Sequence, residues 1–586
     1  MEIIFRRLWA VLCTLLLPLS ALIIWPVAEL GVVDEWSYTK TVQVLAETGH
    51  IVYNGWATAM VGWMFYLGAV FVKLFGFSFT SVRLSMLVVS MATVFLVHRT
   101  MVRCGINDWN ATLGTITFAL SPLFLPIAIN FMTDVPGLFC IVVCLYACVR
   151  ALEADTDGAA LAWLCFAAVS NTLGGTVRQI AWLGLLVMVP STLWLLRKRS
   201  HFLAVGISVY VACVAFIFGA MRWFHQQLYS VPEELIRGKL NVRALLDVFD
   251  FLAAGVLEIP FLLLPLLLFF VPAVSLRDRK TWKVLAATVL FFVMFSWLQA
   301  VLYRNWLVPF IGTYGDYVSI YGIIASSPLH GRTPVVLGSG IRLVWTIVMA
   351  LALAGFITTL LRRNQRTALT SKQSSGVSWQ SLGVLLVPVT LAYFGLLVPR
   401  AASAVLYDRY LLVPFFLAMI PMLRYYQERV QLRLPVATLI PIGLYAFFAI
   451  AGTHDSFVRF RAYLAVIQEL QSARVPPTEI DGGLEYNGWI QIERTGYVND
   501  PKIHALPTDH FKSIAKERFG ICPSIWIDPF SGDSFRYAMA KFPDACLGPA
   551  GFAPVTYRTW LSPHLNTIYI VKVGQPDGSA ETRAKN

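Results

Sequence analysis

Charge is what this sequence has least of. Only 13% of its 586 residues are Asp, Glu, Lys or Arg, against 57% apolar, a balance that excludes a soluble domain of this length. It also lacks nucleotide and hydrolase signatures: there is no G-x-x-x-x-G-K-[ST], no strand running into G-x-G-x-x-G, no H-E-x-x-H and no G-x-S-x-G elbow. A nucleotide-driven enzyme is thereby excluded, and any chemistry must draw on a substrate already activated in the membrane. No internal repeat or low-complexity tract is present. Acids are scarcer than bases, 33 against 46, and the resulting net charge of +13 follows from cytoplasmic anchoring, so no nucleic-acid partner is expected.

What is present is apolar runs of membrane-spanning length. Arg6 and Arg7 precede a run from Leu8 to Ala28, matched to the ~30 Å hydrocarbon core and followed by no small-x-small cleavage site, so it reads as a retained anchor. Further runs start near residues 82, 111, 134, 159, 179, 202, 251, 283, 341, 379, 405 and 434, giving about thirteen spans. Basic clusters at Arg6/Arg7, Arg99/Arg103, Arg197/Lys198/Arg199, Arg277/Arg279/Lys280, Arg362/Arg363/Arg366 and Arg424/Arg429/Arg433 fall in alternate connections. The positive-inside rule then places the amino terminus in the cytoplasm. A further apolar stretch, residues 57–76, would send every later basic cluster outward if it crossed, so it is expected to re-enter or lie in the interface.

The expected architecture is an all-α polytopic membrane domain over 1–452, with a first outward loop at 29–81. A small extracytoplasmic α+β domain over 453–575 and a disordered tail at 576–586 complete it. The second domain is read from turn residues (PPTEIDGG, DPFSGDS), a polar helical pattern at TDHFKSIAKERFG and strand-like runs at SIWI and NTIYIVKV. Seven of the nine cysteines fall in spans or at cytoplasmic ends and read as apolar filler. Cys522 and Cys546 lie in the outward domain and are the candidate disulfide, on compartment more than on spacing. The sole N-x-[ST] site, at Asn110, falls on the cytoplasmic side.

Several outward residues oppose the trends of their surroundings. Asp34 and Glu35 follow the first span, where an acidic pair is ordinarily just solvated. Asp134 opens the fourth helix with Pro136 in its first turn, and either it or Thr133 is placed to cap. Arg178, at the outward start of the sixth helix, opposes both the positive-inside bias and the positive end of the helix dipole, which calls for an anionic partner: one of these acids, or a phosphate. YDRYLLVP repeats the pattern at the twelfth helix, with Asp408 a further candidate cap and Arg409 a further candidate anion contact. The outward loops add Arg222, His225, Arg237, Lys239, Arg304, Tyr314, Asp316 and Tyr317, residues that in loops are ordinarily solvated.

Taken in order, VVDEWSYTKTVQVLAETG, KLFGFSFTSVRLS, FMTDVP, VRQ and DRYLLVP resemble the GT-C superfamily of lipid-linked glycosyltransferases over about residues 8–425. The nearest branch is the protein O-mannosyltransferase and aminoarabinose-transferase type. The resemblance implies a polyprenyl-phosphate sugar as donor and a glycan, lipid or protein acceptor on the outer face; a multi-pass protein of a bacterial inner membrane is the expected setting. It implies Asp34 as general base with Glu35 beside it, Asp134 as the second acidic position, and Arg178 and Arg409 as contacts of the lipid phosphate. Gln179, Asp408, Tyr410 and Tyr314 are the expected substrate contacts. Many relatives carry Lys or His before Pro-Pro-Leu at the start of the interfacial segment, whereas this chain reads NGWATAMVG from Asn54, which shifts weight onto the two arginines. Three outward carboxylates are the donor type a hard cation takes, but branches using lipid-monophosphate sugars need none, so neither metal nor cofactor is expected.

Two other readings fit the same composition. A transporter or flippase for a lipid-linked or anionic solute would line its path with intramembrane charge, but the unusual charges here gather on one face and no spans look interrupted in paired positions. An oligosaccharide transferase, ligase or polymerase of related architecture would move a whole glycan.

Overall fold

The computed structural model describes residues 2–56, 59–60, 62–232, 241–273, 279–303, 307–309, 317–324, 329–330, 335–361, 376–402, 406–498, 535–562 and 564–573. Its helices are α1 (Glu2–Ile24), α2 (Glu35–Thr48), α3 (Trp63–Phe75), α4 (Phe79–Arg103), α5 (Asp108–Ala119), α6 (Phe124–Ala128), α7 (Asp134–Glu153), α8 (Asp157–Gly175), α9 (Val189–Leu195) and α10 (Ser200–His225). They continue with α11 (Val242–Leu267), α12 (Arg279–Tyr303), α13 (Ser339–Leu361), α14 (Trp379–Ala401), α15 (Leu412–Arg429), α16 (Leu439–Ser472) and α17 (Leu484–Thr495). Among the described residues eight helices are long and apolar enough to cross a membrane, and the chain is a multi-pass membrane protein. Leu22, Phe218 and Leu391 are each 68% exposed, which in water would be costly and in lipid is ordinary.

The segment expected not to cross forms α3, whose 13 residues extend about 20 Å, short of the ~30 Å core. It packs on α2 and α4, so α2 and α3 fill the connection between α1 and α4. α4 begins at a capping box in which Ser78 and Ser81 satisfy each other's backbone N–H, a sharp start that fixes the depth of the helix.

One end of the bundle gathers the basic connections. Arg424 Nη1 donates to the carbonyls of Cys104 (3.1 Å) and Val377 (2.6 Å), Asn107 meets Gln427 and Leu432, and Arg103 pairs with Glu153 at 3.1 Å. Asp134 stands at the opposite end of α7 from Glu153, about 30 Å away along 20 helical residues. The acids and the out-of-place arginines thus share the end away from these basic clusters.

The expected domain boundary at 452/453 falls inside α16, which runs unbroken over 34 residues. At about 50 Å it outreaches the hydrocarbon core, and it runs on through Thr453 to Ser472. Beyond it lie α17 and a four-stranded sheet of β3 (Ile480–Asp481), β4 (Tyr537–Ala540), β5 (Val555–Tyr557) and β6 (Asn566–Lys572); β1 (Val318–Ser319) and β2 (Gly322–Ile323) form a separate hairpin. The sheet order is β3-β4-β6-β5, parallel between β3 and β4 and antiparallel elsewhere. The strand expected at NTIYIVKV is β6, burying Ile568, Ile570 and Val571. Cys546 is disulfide-bonded; Cys522, the SIWI and TDHFKSIAKERFG segments and the tail at 576–586 lie outside the described residues.

Candidate active site at one end of the helix bundle

Asp34 opens α2 and makes no capping bond with its side chain, so its carboxylate faces elsewhere. One oxygen accepts the indole N–H of Trp56 at 2.8 Å and the other meets Arg409 Nη2 at 3.2 Å. The turn that presents it is tight. Val33 holds a positive φ of 56°, a conformation a β-branched residue adopts only when its surroundings impose it, at about 1–3 kcal/mol. The imposition is visible: Glu35 N–H donates to the Val32 carbonyl, and Val32 N–H donates back to Glu35 Oε2. Gly31 lies so close beneath α2 that a Cβ there would sit 2.6 Å from the Trp36 nitrogen.

Glu35 faces the opposite way. Its carboxylate takes Arg83 Nε (2.9 Å) and Nη2 (2.6 Å) and the N–H groups of Val32 (3.0 Å) and Phe131 (2.8 Å). Arg83 in turn reaches the carbonyls of Pro26, Ala28 and Leu30. This clamp binds α2, α4 and the chain before Asp134 into one block, so the expectation that Glu35 shares the chemistry is not what the geometry favours. Arg83 was missed in reading the sequence, although an arginine in the first turns of a long apolar helix is the same signal that singled out Arg178.

Arg178 and Arg409 have the anionic partners their positions demanded. Arg178 Nη2 lies 3.0 Å from Asp134 Oδ1 and its Nη1 donates to Thr133 at 2.9 Å; Arg409 Nε lies 4.0 Å from the same Asp134 oxygen. Asp34, Arg409, Asp134 and Arg178 therefore form one alternating chain of charge. Thr133, at the N-cap of α7, makes no side-chain cap. Gly137, one turn into α7, lets the Arg178 stem lie across the helix, since a Cβ there would stand 3.1 Å from it. The segment after Arg178 is not a plain α-helix: a 3₁₀ turn at Gln179–Trp182 and a π turn at Gly184–Met188 precede α9. Asn171 stitches this break, accepting from Leu185 N–H at 2.6 Å and donating to the Cys140 carbonyl. Interruptions of this kind recur at functional sites.

The remaining expected contacts divide. Tyr410 is buried under the guanidiniums of Arg178 (5.1 Å) and Arg409 (6.0 Å), and its carbonyl accepts from Tyr393 Oη. Gln179 starts the 3₁₀ turn beside Arg178. The Asp408 carboxylate receives the N–H groups of Tyr317 and Val318, holding that loop. Tyr314 lies outside the described residues. Tyr38, one turn along α2, was not singled out, yet Asp34, Arg178, Arg409 and Asp134 all act on its buried phenol, which burial first and the acids next push up. Among the described residues no three His, Cys, Asp or Glu side chains gather as metal ligands.

α17 closes the site from the carboxyl-terminal side. Trp36 packs against Gly488, Val498 N–H donates to the Asn54 carbonyl, and Lys40 pairs with Glu493. Glu485 is buried here, with the Val33 N–H donated to its carboxylate; its carboxyl is pushed up to about 7, chiefly by burial and further by Asp34, against the pull of backbone N–H groups and of Arg459. The folded state then holds a proton that the unfolded chain releases from near pH 4.5 upward. Stability contributed by neutral Glu485 is full below that and falls as pH rises to about 7, by about 3 kcal/mol in all. The protection of α17 amides, with the base-catalysed rise of the intrinsic exchange rate divided out, is expected to fall over this window in the parent and to stay level in Glu485→Gln; a level parent profile refutes the assignment.

Residues 59–223 match the family model described as dolichyl-phosphate-mannose-protein mannosyltransferase, so the resemblance to GT-C lipid-linked glycosyltransferases drawn from the motifs stands. The match takes in Asp134 and Arg178; Asp34 and Arg409 fall to either side of it. No curated protein matches the chain. Among solved structures it is similar to the S. cerevisiae protein O-mannosyltransferase Pmt1-Pmt2 complex bound to the sugar donor, at 17% identity over 37% of this chain and 32% of that one, TM-score 0.30. It thus spans about a third of the yeast chain's length. It is similar to ArnT from Cupriavidus metallidurans bound to undecaprenyl phosphate, at 14% identity over 95% and 97% of the two chains, TM-score 0.38. It is also similar to the oligosaccharyltransferase AglB from Archaeoglobus fulgidus in complex with an inhibitory peptide and a dolichol-phosphate, at 13% identity over 92% and 70%, TM-score 0.42.

Proposed function

We propose that this chain is a hexosyl- or pentosyltransferase that moves a sugar from a polyprenyl-phosphate donor to an acceptor hydroxyl at the extracytoplasmic face, with inversion at the anomeric carbon. The observation that carries the reading is the meeting of Asp34 and Arg409, 375 residues apart in sequence, in a charge chain completed by Asp134 and Arg178. Lipid-bound helix ends do not gather four charges by chance, because each costs free energy to bring there.

The roles follow from exposure. Side-chain exposure is 21% for Asp34, 2% for Asp134 and zero for Glu35, so Asp34 alone of the three acids reaches an incoming hydroxyl. It takes the acceptor proton as the hydroxyl oxygen attacks the anomeric carbon and the sugar–phosphate bond breaks. The departing lipid phosphate gains negative charge, which Arg178 and Arg409 are placed to offset. Asp134 holds Arg178 in position, Trp56 fixes the Asp34 rotamer, and no metal or cofactor is required. The bond to be cleaved is tethered at the membrane surface, which is why the acids stand where the chain leaves the lipid.

The topology that goes with this has about thirteen crossings: α1, α4, the α5–α6 pair, α7, α8, the broken segment ending in α9, and α10 to α16. The amino terminus is then cytoplasmic and the sheet domain periplasmic, in a bacterial inner membrane, with a glycan, lipid or protein as acceptor. Purified protein given a labelled polyprenyl-phosphate sugar is expected to release or transfer that sugar, and the new glycosidic bond to have the opposite anomeric configuration. A product of retained configuration overturns the mechanism; solute-dependent transport without donor turnover overturns the reading.

A further inference from the structure

Asp34 is aimed by two supports, and both lead to the same helix of the carboxyl-terminal segment. The first is the turn at Val33, held at a φ of 56°. Successive N–H groups of this turn go to carboxyl groups from different elements: Val32 N–H to Glu35 at 3.0 Å, and Val33 N–H to Glu485 of α17. The second support is the Trp56 indole, on a loop whose Asn54 side chain donates to the Ser37 carbonyl at 2.9 Å and accepts from Ser37 Oγ at 2.8 Å. The Asn54 carbonyl takes the N–H of Val498 at 2.9 Å, just past the Gly496 that ends α17.

α17 is itself fixed in place. Asp481, at the end of β3, accepts from Asn487 Nδ2 at 2.9 Å and from Gly483 N–H at 3.2 Å, and Asn487 Oδ1 accepts from Gly482 N–H at 3.0 Å. Gly488 brings the helix onto Trp36, where a Cβ would stand 2.7 Å from the indole. An acid in the first turn of a helix ordinarily stays in water and serves the helix dipole. Glu485 is instead 7% exposed and reaches the backbone of another element. Burying a carboxyl there is unfavourable unless its hydrogen bonds are made, and the donors are the N–H groups of Val33 and of Glu485 itself.

We infer that Glu485 is a positioning residue for Asp34: from α17 it holds the Val33 N–H, and with it the left-handed turn that points the Asp34 carboxylate at the charge cluster. Valine does not keep that conformation unaided, and a catalytic group displaced by about 1 Å loses about 10²-fold in rate. Asp34 is thus in register only while α17 is docked, so a segment outside the apolar bundle completes the site. The effect falls on the base and leaves the donor contacts at Arg178 and Arg409 as they are, which separates kcat from the donor KM. The effect on rate rests on the proposed transferase reading; the hold on the turn does not.

The test uses the full-length protein in maltoside detergent at pH 6, where Glu485, pushed up to about 7, is mostly uncharged and glutamine matches it in charge and shape. Glu485→Gln keeps an oxygen for the Val33 N–H and is expected to transfer sugar from a labelled polyprenyl-phosphate donor within about threefold of the parent. Glu485→Leu removes the acceptor and is expected to lower kcat about 10- to 100-fold with the donor KM unchanged. Adding Val33→Gly, which relieves the strained φ, is expected to recover about tenfold of that loss; a packing defect at α17 would not respond to a backbone change at position 33. Hydrogen exchange of peptides covering residues 30–36, at the same pH, is expected to quicken in Glu485→Leu and not in Glu485→Gln. Parental kcat in Glu485→Leu overturns the positioning role, as does an equal loss in Glu485→Gln or a defect that Val33→Gly leaves unchanged. Unchanged exchange in Glu485→Leu overturns the hold on the turn, with or without transfer. The expected exchange pattern in a set of proteins that transfer no sugar, the parent included, upholds the hold and counts against the transferase alone.

Discussion

Asp34→Asn is expected to fold like the parent and to transfer sugar ~10²- to 10⁴-fold more slowly, whereas Glu35→Gln, one residue away, is expected to lose its fold before its chemistry. The difference follows from what each carboxylate holds. Asp34 is partly exposed and has one cation at 3.2 Å and one indole N–H at 2.8 Å. Asparagine keeps an oxygen for the indole, and Arg409, only 7% exposed, loses its nearer carboxylate but keeps Asp134 at 4.0 Å, so the lost pair costs about 1–3 kcal/mol. Glu35 is fully buried against an Arg83 that is 3% exposed, and its two oxygens accept four N–H groups. Removing its charge leaves a guanidinium buried without its counter-ion, at about 3–5 kcal/mol, a large part of a typical folding free energy. Arg83→Lys is expected to rescue little, because an ammonium cannot reproduce the two-pronged contact. Melting in detergent and initial rates on the same preparations check both. An Asp34→Asn enzyme at parental rate removes the base, and a Glu35→Gln protein of parental stability but 10²-fold lower rate would move the chemistry to Glu35.

Much of this site was legible because membranes penalise charge so heavily that a misplaced charge is itself a signal. Arg178 and Arg409 stood out by opposing both loop bias and helix dipole, and each is found on an aspartate. What was not legible was the division of labour. An acidic pair reads as a unit, but successive residues at a helix start point to different sides, so Asp34 faces the cluster and Glu35 the core. Asp134 and Asp408 are candidate caps as well as candidate site residues in the sequence, because aspartate at a helix start commonly caps; Asp134 meets the Arg178 guanidinium and Asp408 the 317–318 backbone. The departure at NGWATAMVG, where relatives carry a cation, turns out to supply Trp56 to Asp34, a neutral donor that no charge-based reading would find. Nor does polarity along a helix reveal where it ends: α16 turns polar near Thr453 yet continues to Ser472 because a sheet domain and a loop cover its outer half.

Arg178→Gln alone is expected to destabilise the protein by about 3–5 kcal/mol, since it strips the main counter-charge from an Asp134 that is 2% exposed and leaves only Arg409 Nε at 4.0 Å. Asp134→Asn alone is milder for stability, because Arg178 is 20% exposed and can turn toward water. The informative protein is the double variant, in which a neutral amide pair of similar shape replaces the ion pair. If Arg178 serves only to neutralise Asp134, removing both charges restores stability and rate together, as for other buried pairs replaced by neutral groups. If Arg178 also holds the donor phosphate, stability returns while transfer stays ~10²- to 10³-fold down and the donor KM stays raised, because a neutral amide cannot offset charge growing on the leaving group. The second outcome is the expected one. The first would leave Arg409 as the sole cation of the four-charge chain available to the lipid phosphate, and would make the Asp134–Arg178 pair a brace between α7 and the broken helix that follows it.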